Sequence, residues 1–394
     1  MKICILTRSL PVHRTGGLET HTWDLAWGLA QRGCKVFILS SRHPEGLEQE
    51  TIEGVHIRYL PRTRPAEYSS LFFHEMNKEI LRLHSGEHFD IVHSEGFAGL
   101  TFHPPRGLPF VATLHGTLFS ETPLHREIFR TFSLWKKISR IWRYRWRILI
   151  IPLYRGFLKR LDRIFVDSRF SYEETLRDHA GIKDKLRIAP LGIRIGTPPS
   201  LDSPGARERL GLPKQGGILF TLSRLEEMKG VDLVLEALSR VPSRNFLYLI
   251  GGEGRHRAQL EQKRDLLGLS HVRFLGKIPR EQLSDYFTAA DLFVYPEISQ
   301  PAFGLVSVES MFHGTPVLAS DAGAIPEVVT PAVGWTFKRG DVQSLSENLQ
   351  KLLPRVAELR NRSGELRQYV AEHFSLDRFL DRTLEIYQEA RGSR

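Results

Sequence analysis

Two basic residues in the second half of the sequence have the chemistry and the position that a phosphate-bearing ligand requires. Arg224 and Lys229 follow the apolar run 218–222, which is predicted to be a buried strand. Two cations at the carboxyl end of a strand can neutralise a diphosphate. Arg suits a bidentate contact with phosphate oxygens, whereas Lys acts as a point charge. Basic pairs are common on protein surfaces, so the position directly after a strand is what favours a binding site.

A helix start with a nearby carboxylate is a second feature of the same kind. The segment 291–327 is predicted to fold as strand, loop, helix, strand and turn, with Gly304 at the beginning of the helix. In a parallel sheet this start lies at the carboxyl edge, where its free N–H groups suit a phosphate. Glu309 lies four residues after Leu305 on the same helix face, so its carboxylate can accept hydrogen bonds from two ribose hydroxyls. The alternative is an ordinary helix with an acidic residue that the helix dipole favours.

The elements that must position these residues form two α/β series, which apolar runs, helical spacings and glycine or proline breaks delimit. In the first half we predict a helix at 18–31 and strands at 2–7, 36–40, 91–93, 110–114, 163–166 and 186–189. In the second half we predict helices at 231–238 and 376–390 and strands at 218–222, 246–250, 272–275, 292–295 and 316–319. The Pro-, Gly- and Ser-rich segment 196–205 between the two series is typical of a linker.

The segment 303–327 resembles the donor-site signature of the retaining glycosyltransferases of family 4, also called group 1 glycosyltransferases. The usual pattern of that family is Glu, one residue, Phe-Gly, and then a helix with a second Glu eight positions after the first. Phe303, Gly304 and Glu309 match this pattern, as do Gly-Thr-Pro-Val at 314–317 and the turn that follows. The resemblance covers nearly the whole chain.

The sequence departs from the family pattern at two places. Pro-Leu-Gly-Ile-Arg at 190–194 stands where the family often has Pro-Asn-Gly-Val-Asp, and Pro301 stands where the first Glu is expected. Proline offers neither a carboxylate nor an N–H group. The donor sugar must therefore be held by the backbone of 302–304, by Gln300 or by a repositioned Glu297. This loop is where we expect the donor specificity of the protein to differ.

The resemblance implies an α/β protein of the GT-B fold, with two Rossmann-like domains that face each other across a cleft. Residues 1–195 are expected to form an N-terminal acceptor domain, to which the C-terminal helix 376–394 returns. Residues 196–212 are expected to be the linker, and 213–375 the nucleotide-sugar donor domain.

The implied activity is transfer of a sugar from a nucleoside diphosphate sugar to an acceptor hydroxyl with retention of configuration. The donor is a substrate, and no metal or other cofactor is required. Arg224 and Lys229 match the phosphate-binding pair of the family. The amides of Leu305 and Val306 are expected to contact the diphosphate, and Glu309 to hold the ribose.

Four further positions match family features. His115 ends a predicted strand where the family often has a histidine that contacts the transferred sugar, although a histidine at a strand end has an ordinary structural reading too. Gly17 matches the first glycine loop, which approaches the donor phosphates or the acceptor. Gly252 matches a turn that lines the nucleotide pocket, and Ile278 lies in a segment whose backbone often contacts the base.

The composition is that of a globular protein with anionic partners. The 394 residues are 41% hydrophobic and 25% charged, and the formal net charge is +10. Cys4 and Cys34 make no disulfide framework, which suits the reducing cytoplasm. The longest pure apolar run, 148–153, is far below the ~20 residues of a membrane helix.

A basic, aromatic helix is predicted within 134–160. Trp135, Trp142 and Trp146 share one face, and an Arg/Lys stripe lies beside it. This composition is typical of a helix at an anionic membrane surface, which would suit a lipid-linked or polysaccharide glycan acceptor at the cytoplasmic face. The alternatives are a Trp face that packs into the first domain and an anionic acceptor bound directly; nucleic acid is not favoured, because no recognised motif for it occurs.

Two other classes of function share this architecture. A sugar-nucleotide epimerase would need a pair of acid/base carboxylates, and the sequence shows no convincing pair. A non-catalytic nucleotide-sugar-binding protein is the second, and Pro301 is the best argument for it.

Overall fold

The computed structural model describes residues 1–14, 16–116, 151–196, 201–242 and 245–393. The chain divides into two compact units, of which the first comprises Met1–Gly192 with Leu376–Arg394 and the second comprises Ile193–Ser375. The helical pattern at 134–149 lies outside the described residues, whereas 151–160 are helical. No helix in the described part of the chain is long and apolar enough to cross a bilayer.

The first unit is built on an eight-stranded sheet in the order β3-β4-β2-β1-β5-β6-β7-β8. All neighbouring strands are parallel except β3 and β4, which form an antiparallel edge. Its elements are β1 Lys2–Leu6, α1 Gly17–Gln31, β2 Lys35–Ser41, β3 Gln49–Ile52, β4 Val55–Leu60, α2 Ser70–Glu87, β5 Ile91–Glu95, β6 Phe110–Leu114, β7 Arg163–Val166, α3 Arg169–Asp178 and β8 Leu186–Ile188.

The second unit is built on a six-stranded, all-parallel sheet in the order β11-β10-β9-β12-β13-β14. Its elements are α4 Ser203–Arg209, β9 Gly217–Leu222, α5 Val231–Ser239, β10 Phe246–Gly251, α6 Arg257–Leu266, β11 Val272–Gly276, α7 Arg280–Ala289, β12 Leu292–Tyr295, α8 Leu305–Phe312, β13 Val317–Ser320, α9 Ile325–Val328, β14 Gly334–Phe337, α10 Val342–Leu352, α11 Val356–Arg360 and α12 Ser363–His373.

Apolar runs become central strands in both units because a parallel sheet buries both of its faces. Every residue of β5, β6, β10, β12 and β13 is buried. The chain order reverses direction between β1 and β5 in the first sheet and between β9 and β12 in the second. Ligands of open α/β sheets bind at the carboxyl edge beside such a switch point.

The last helix, α13 Leu376–Gly392, belongs to the first unit. It approaches α1 closely, since a Cβ on Gly28 would lie 2.4 Å from a methyl carbon of Leu380. Arg32 at the end of α1 pairs with Asp377 at 2.9 Å. The close contact at Gly28 and the Arg32–Asp377 ion pair thus hold α13 against α1.

The segment predicted as a linker differs from that expectation. Residues Ser203–Arg209 form the helix α4, whose N-cap Asp202 accepts a hydrogen bond from the Gly205 amide at 2.9 Å. Arg207 is buried and pairs with Asp291 at 2.7 Å, which anchors α4 within the second unit. The Pro and Gly residues of this segment do not predict a helix. The helix α4 is stabilised by the contact of Arg207 with Asp291, which is distant in the sequence.

Candidate functional site

The predicted phosphate-binding residues lie at the carboxyl edge of the second sheet. Arg224 follows β9 and is exposed, and Lys229 ends a 3₁₀ turn, Glu227–Lys229, in the same loop. The loop after β12 leads to Gly304, which caps the N-terminus of α8. Because β9 and β12 are neighbours at the switch point, these features lie at one place in the second unit.

Lys229 is held by a buried carboxylate. Its Nζ donates to one carboxylate oxygen of Glu297, which follows β12 and has no exposed surface. The Ser299 hydroxyl donates to the other oxygen, and the Tyr295 hydroxyl lies 3.4 Å from the first. Burial and the charge of Glu297 raise the pKa of Tyr295 well above its ordinary value, so this hydroxyl keeps its proton. The carboxylate of Glu297 thus fixes the position of the Lys229 ammonium group.

The two loops that carry this pair are joined through their backbones. The Ile298 amide donates to the Met228 carbonyl at 2.9 Å. Gly230 has a φ of +67°, and a Cβ there would lie 1.9 Å from the Pro296 carbonyl oxygen. Only glycine combines that φ with such a close approach. The loops after β9 and β12 therefore behave as one structure.

Gly252 and Ile278 bring two further loops to the same edge. Gly252 has a φ of +117°, its amide donates to the Gly276 carbonyl at 2.7 Å, and a Cβ on it would lie 1.9 Å from the Ser223 carbonyl oxygen. The glycine turn thus packs directly against the residue before Arg224. Ile278 packs on the same turn, since a Cβ at Gly251 would approach its Cδ1 to 2.5 Å.

The start of α8 combines a packed anchor with free amides. Phe303 is buried and its ring contacts that of Phe374 at 5.6 Å, so its side chain serves packing. Gly304 has a φ of +104°. Leu305 and Val306 are the first two residues of α8, whose N–H groups have no partner within the helix. Glu309, one turn later, is partly exposed.

Gln300 is the remaining side-chain candidate for the donor sugar in the loop that contains Pro301. Glu297 was a candidate, but it is buried and both of its carboxylate oxygens accept hydrogen bonds. The carbonyl of Pro301 accepts from the Ala324 amide at 3.0 Å, which ties the loop to the turn after β13. Among the described residues, the buried Oε1 of Gln300 has no hydrogen-bond partner.

His115 lies in the first unit, at the carboxyl edge of that sheet, between two buried carboxylates. Its Nδ1 lies 3.0 Å from an oxygen of Asp167, and its Nε2 lies 2.9 Å from an oxygen of Glu95. The arrangement follows from topology: β5, β6 and β7 are neighbours, Glu95 ends β5, and His115 and Asp167 come directly after β6 and β7.

Two buried carboxylates favour the protonated form of His115 at the centre of this cluster. Burial alone would lower the pKa of His115, but the charge of Asp167 and the hydrogen bonds to Asp167 and Glu95 hold it well above 6.5. Burial would likewise raise the pKa of Glu95, yet the hydrogen bond from His115 and the neighbouring histidines lower it to about 2. Both N–H groups of His115 are donated, so the ring is a poor general base.

Two buried histidines lie beside the partly exposed His115. His93 on β5 lies 2.6 Å from the Tyr387 hydroxyl and 2.7 Å from the Thr113 hydroxyl, and burial lowers its pKa to about 4. His93 is thus a neutral core residue. His21 on α1 packs edge-on against His115 with ring centroids 5.3 Å apart, and burial lowers its pKa too. Neither ring nitrogen of His21 has a hydrogen-bond partner within the described residues.

One group of side chains in the described residues has donor types that suit a metal. Ligand atoms of His21, Glu95 and His115 lie within 4.8 Å of one another. In the structure the Nε2 of His115 lies 2.9 Å from an oxygen of Glu95, so these two residues form a hydrogen-bonded ion pair and His21 packs beside them.

Gly17 also lies in the first unit, as the first residue of α1. A Cβ on Gly17 would meet no atom within 4 Å, so the space beside it is open. Two residues on, Glu19 is buried and its carboxylate accepts from the Ser9 hydroxyl at 2.6 Å and from Arg14 at 2.5 Å. The loop after β1 is thus fastened to the helix start.

The sequence analysis missed Glu95, Asp167, His21 and Glu19. A usable signal was present, since a polar residue that ends or directly follows an apolar strand lies at the sheet edge where ligands bind. It also missed that Glu297 is the partner of Lys229. The predicted residues Arg224, Lys229, Gly252, Ile278 and 303–309 meet in the second unit, whereas Gly17 and His115 belong to the first.

Two parallel-sheet units and a basic loop beside a helix N-terminus are the features expected of a glycosyltransferase of the GT-B fold. Residues 15–196 match the family described as Glycosyltransferase Family 4, and residues 202–367 match Glycosyl transferases group 1. The chain belongs to this glycosyltransferase family.

Known proteins with similar sequence or structure agree with this assignment. An uncharacterized glycosyltransferase of Methanocaldococcus jannaschii is 25% identical, over 99% of this chain and 98% of its own length. Sucrose-phosphate synthase from Thermosynechococcus elongatus has the same fold, with a TM-score of 0.81, 20% identity and complete coverage of both chains. Anabaena HepE in complex with UDP and glucose has a TM-score of 0.72 and 20% identity, and 98% of each chain is covered.

Proposed function

We propose that this glycosyltransferase moves a sugar from a nucleoside diphosphate sugar to a hydroxyl of a lipid-linked or polysaccharide glycan, with retention of anomeric configuration. The observation that carries the donor part is the convergence of Arg224, Lys229 and the α8 N-terminus at one switch point of the second sheet. Fixed cations and helix amides together suit a diphosphate. The solved HepE complex with UDP and glucose supports UDP-glucose as the first donor to test.

Each donor-site group has a distinct role in this proposal. Arg224 is exposed and supplies a planar fork for two phosphate oxygens. Lys229, oriented by Glu297, supplies a fixed charge that stabilises the leaving diphosphate. The first amides of α8 contact the same phosphates, and Glu309 accepts hydrogen bonds from the ribose. These cations take the part that a metal ion plays elsewhere, and therefore the proposal includes no metal.

The proposed acceptor site lies in the first unit at the His115 cluster. His115 holds Glu95 and Asp167 in place, while the other oxygen of Asp167 and the ring nitrogens of His21 have no partner among the described residues. Such acceptors and donors suit sugar hydroxyls. The basic, Trp-rich composition of 134–160 supports a lipid-linked acceptor at an anionic membrane surface.

The test is incubation of the purified protein with a panel of radiolabelled nucleotide sugars and a membrane extract. Label in the extracted lipid or glycan supports transfer, and analysis of the linkage decides between retention and inversion. An altered free nucleotide sugar would indicate an epimerase, and tight nucleotide binding without turnover a binding protein. In Arg224→Ala we expect UDP affinity to fall about 10- to 100-fold, as loss of a charged hydrogen bond predicts.

We propose that the side chain of Gln300 recognises the donor sugar. Gln300→Ala is expected to change the preference among donor sugars while UDP affinity stays at the wild-type value, because the diphosphate contacts are untouched. Unchanged donor preference would assign the sugar to the backbone of the loop instead.

A further inference from the structure

The second unit contains a cavity at the amino-terminal edge of its sheet, opposite to the carboxyl edge that carries the donor loops. Its volume is about 370 Å³, within the range of small-molecule sites. It is lined by Ala290, two residues before β12, by Thr315, two residues before β13, and by Ser363, the first residue of α12. Since Lys229 and Glu297 lie at the carboxyl ends of β9 and β12, the cavity is separate from the donor site.

Three polar atoms that belong to lining residues are buried without a hydrogen-bond partner in the described part of the chain. They are the Nε of Arg367, the hydroxyl of Thr288 and the hydroxyl of Ser203. Thr288 is only 6% exposed, so its hydroxyl has little access to bulk solvent. Buried polar groups are nearly always paired, and three that line one cavity point to a polar ligand.

The positions of these groups favour an anion. Arg367 lies four residues after Ser363, hence on the same face of α12 and one turn from the helix N-terminus, where N–H groups are free. An eleven-residue helix with a guanidinium above its first turn is a favourable site for a phosphate.

The charges around the cavity leave a positive excess. Arg360 lines the cavity and shares the buried Asp291, which lies outside the lining, with Arg207, so one carboxylate faces two guanidinium groups. Asp202 lines the cavity too, but its carboxylate accepts from the Gly205 amide as the N-cap of α4. Arg367 adds a further positive charge, for which the described residues provide no ion-pair partner.

We propose that this cavity binds the phosphate group of a small molecule, either orthophosphate or the monoester of a phosphorylated sugar. Arg367 donates to the phosphate from Nε, the hydroxyls of Thr288 and Ser203 donate beside it, and the first turn of α12 completes the contact. The volume leaves room for a hexose next to the phosphate.

Isothermal titration with sodium phosphate, and separately with glucose 6-phosphate, tests this site. Arg367→Met retains the aliphatic stem and removes the donors, and it is expected to weaken binding at least 10-fold. The matched control is Arg355→Met, which removes the same charge from an exposed position on the 3₁₀ turn before α11, outside the cavity. Loss of binding in Arg224→Met would show that the phosphate binds at the proposed donor site instead.

The results separate the alternatives. Loss of binding in Arg367→Met, with retention in Arg355→Met and Arg224→Met, supports the cavity, and tighter binding of glucose 6-phosphate identifies a sugar phosphate as the ligand. Binding that disappears only in Arg224→Met, or that survives unchanged in Arg367→Met, overturns the proposal. Thr288→Val keeps the shape of the side chain and provides a second test if Arg367→Met does not fold. A wild-type phosphate affinity of Thr288→Val contradicts the role of the hydroxyl.

Discussion

Glu297 holds Lys229 from a position with no solvent exposure, across a sequence separation of 68 residues. A buried carboxylate is stable only when it is paired and hydrogen-bonded, and Lys229, Ser299 and Tyr295 together meet that requirement. The lysine is 24% exposed, so its other two N–H bonds can reach a ligand. The pair therefore links the two loops of the proposed donor site to each other and to the core.

Replacement of Glu297 by Gln should impair transfer because Lys229 then loses the charge that orients it. We expect kcat/KM to fall about 10- to 100-fold, which corresponds to about 1.4 to 2.8 kcal/mol of transition-state stabilisation. Glu227→Gln is the control, since it removes an exposed carboxylate two residues from Lys229. Transfer at or above the wild-type rate in Glu297→Gln would show that the carboxylate competes with the substrate for Lys229.

Gly230 should tolerate no side chain, whereas Gly268 should tolerate one at modest cost. Both have a φ near +65°, but a Cβ at Gly230 would lie 1.9 Å from the Pro296 carbonyl oxygen and one at Gly268 would meet nothing within 4 Å. Gly268→Ala therefore measures the backbone strain alone, about 1–2 kcal/mol. Gly230→Ala adds a collision that separates the two donor-site loops, so both the melting temperature and UDP affinity should fall further.

Calorimetry and UDP titration on the two glycine variants check this expectation. Equal effects of the two substitutions on melting temperature and on UDP affinity would mean that the loops after β9 and β12 can separate without consequence.

Long apolar runs allowed most strands to be predicted from the sequence. The contacts between side chains of different strands could not be predicted in this way. The predicted strands at 110–114, 163–166 and 292–295 have the observed bounds. In contrast, β3 was missed because it is a short, largely exposed edge strand. The approach of Glu95 and Asp167 to His115 depends on strand order, which no local pattern encodes. Glu297 was one of three candidates for holding the donor sugar, because its burial and its pairing with Lys229 arise only in the folded chain.

The His115 cluster should keep its proton well above pH 6.5. The pKa is raised in the folded protein, so the contribution of the ion pairs to stability is fully present below pH 6.5 and is lost as the pH rises through the folded pKa. The pKa of Glu95 falls from 4.5 to about 2, so its contribution is present above pH 4.5 and is lost as the pH falls toward 2.

NMR of the protein with ¹⁵N-labelled histidine tests these signs. At pH 7.5 the signal that disappears in His115→Gln should show the chemical shifts of an imidazolium ring, while that of His93 should be neutral, since its pKa is about 4. Asp167→Asn should lower the pKa of His115, because it removes the largest favourable charge. Titration of His115 near 6.5 in the wild-type protein would be incompatible with the double ion pair.

The last helix should stabilise the first unit through one buried hydrogen bond. The hydroxyl of Tyr387 on α13 lies 2.6 Å from the Nδ1 of His93, and neither side chain has exposed surface. Tyr387→Phe leaves that ring nitrogen without its partner in the core, which costs about 1–3 kcal/mol. For a unit of this size we expect the melting transition to fall by roughly 2–10 °C.

The matched control for Tyr387→Phe is Tyr172→Phe on α3, which removes a hydroxyl from a partly buried tyrosine that packs on another core cluster of the first unit. It should leave the melting temperature nearly unchanged, because no buried group among the described residues forms a hydrogen bond with that hydroxyl. Faster amide exchange in β5, the strand of His93, should accompany the loss of stability in Tyr387→Phe alone. Equal melting temperatures of the two variants would mean that His93 finds another partner and that α13 is held by its ion pairs and apolar contacts instead.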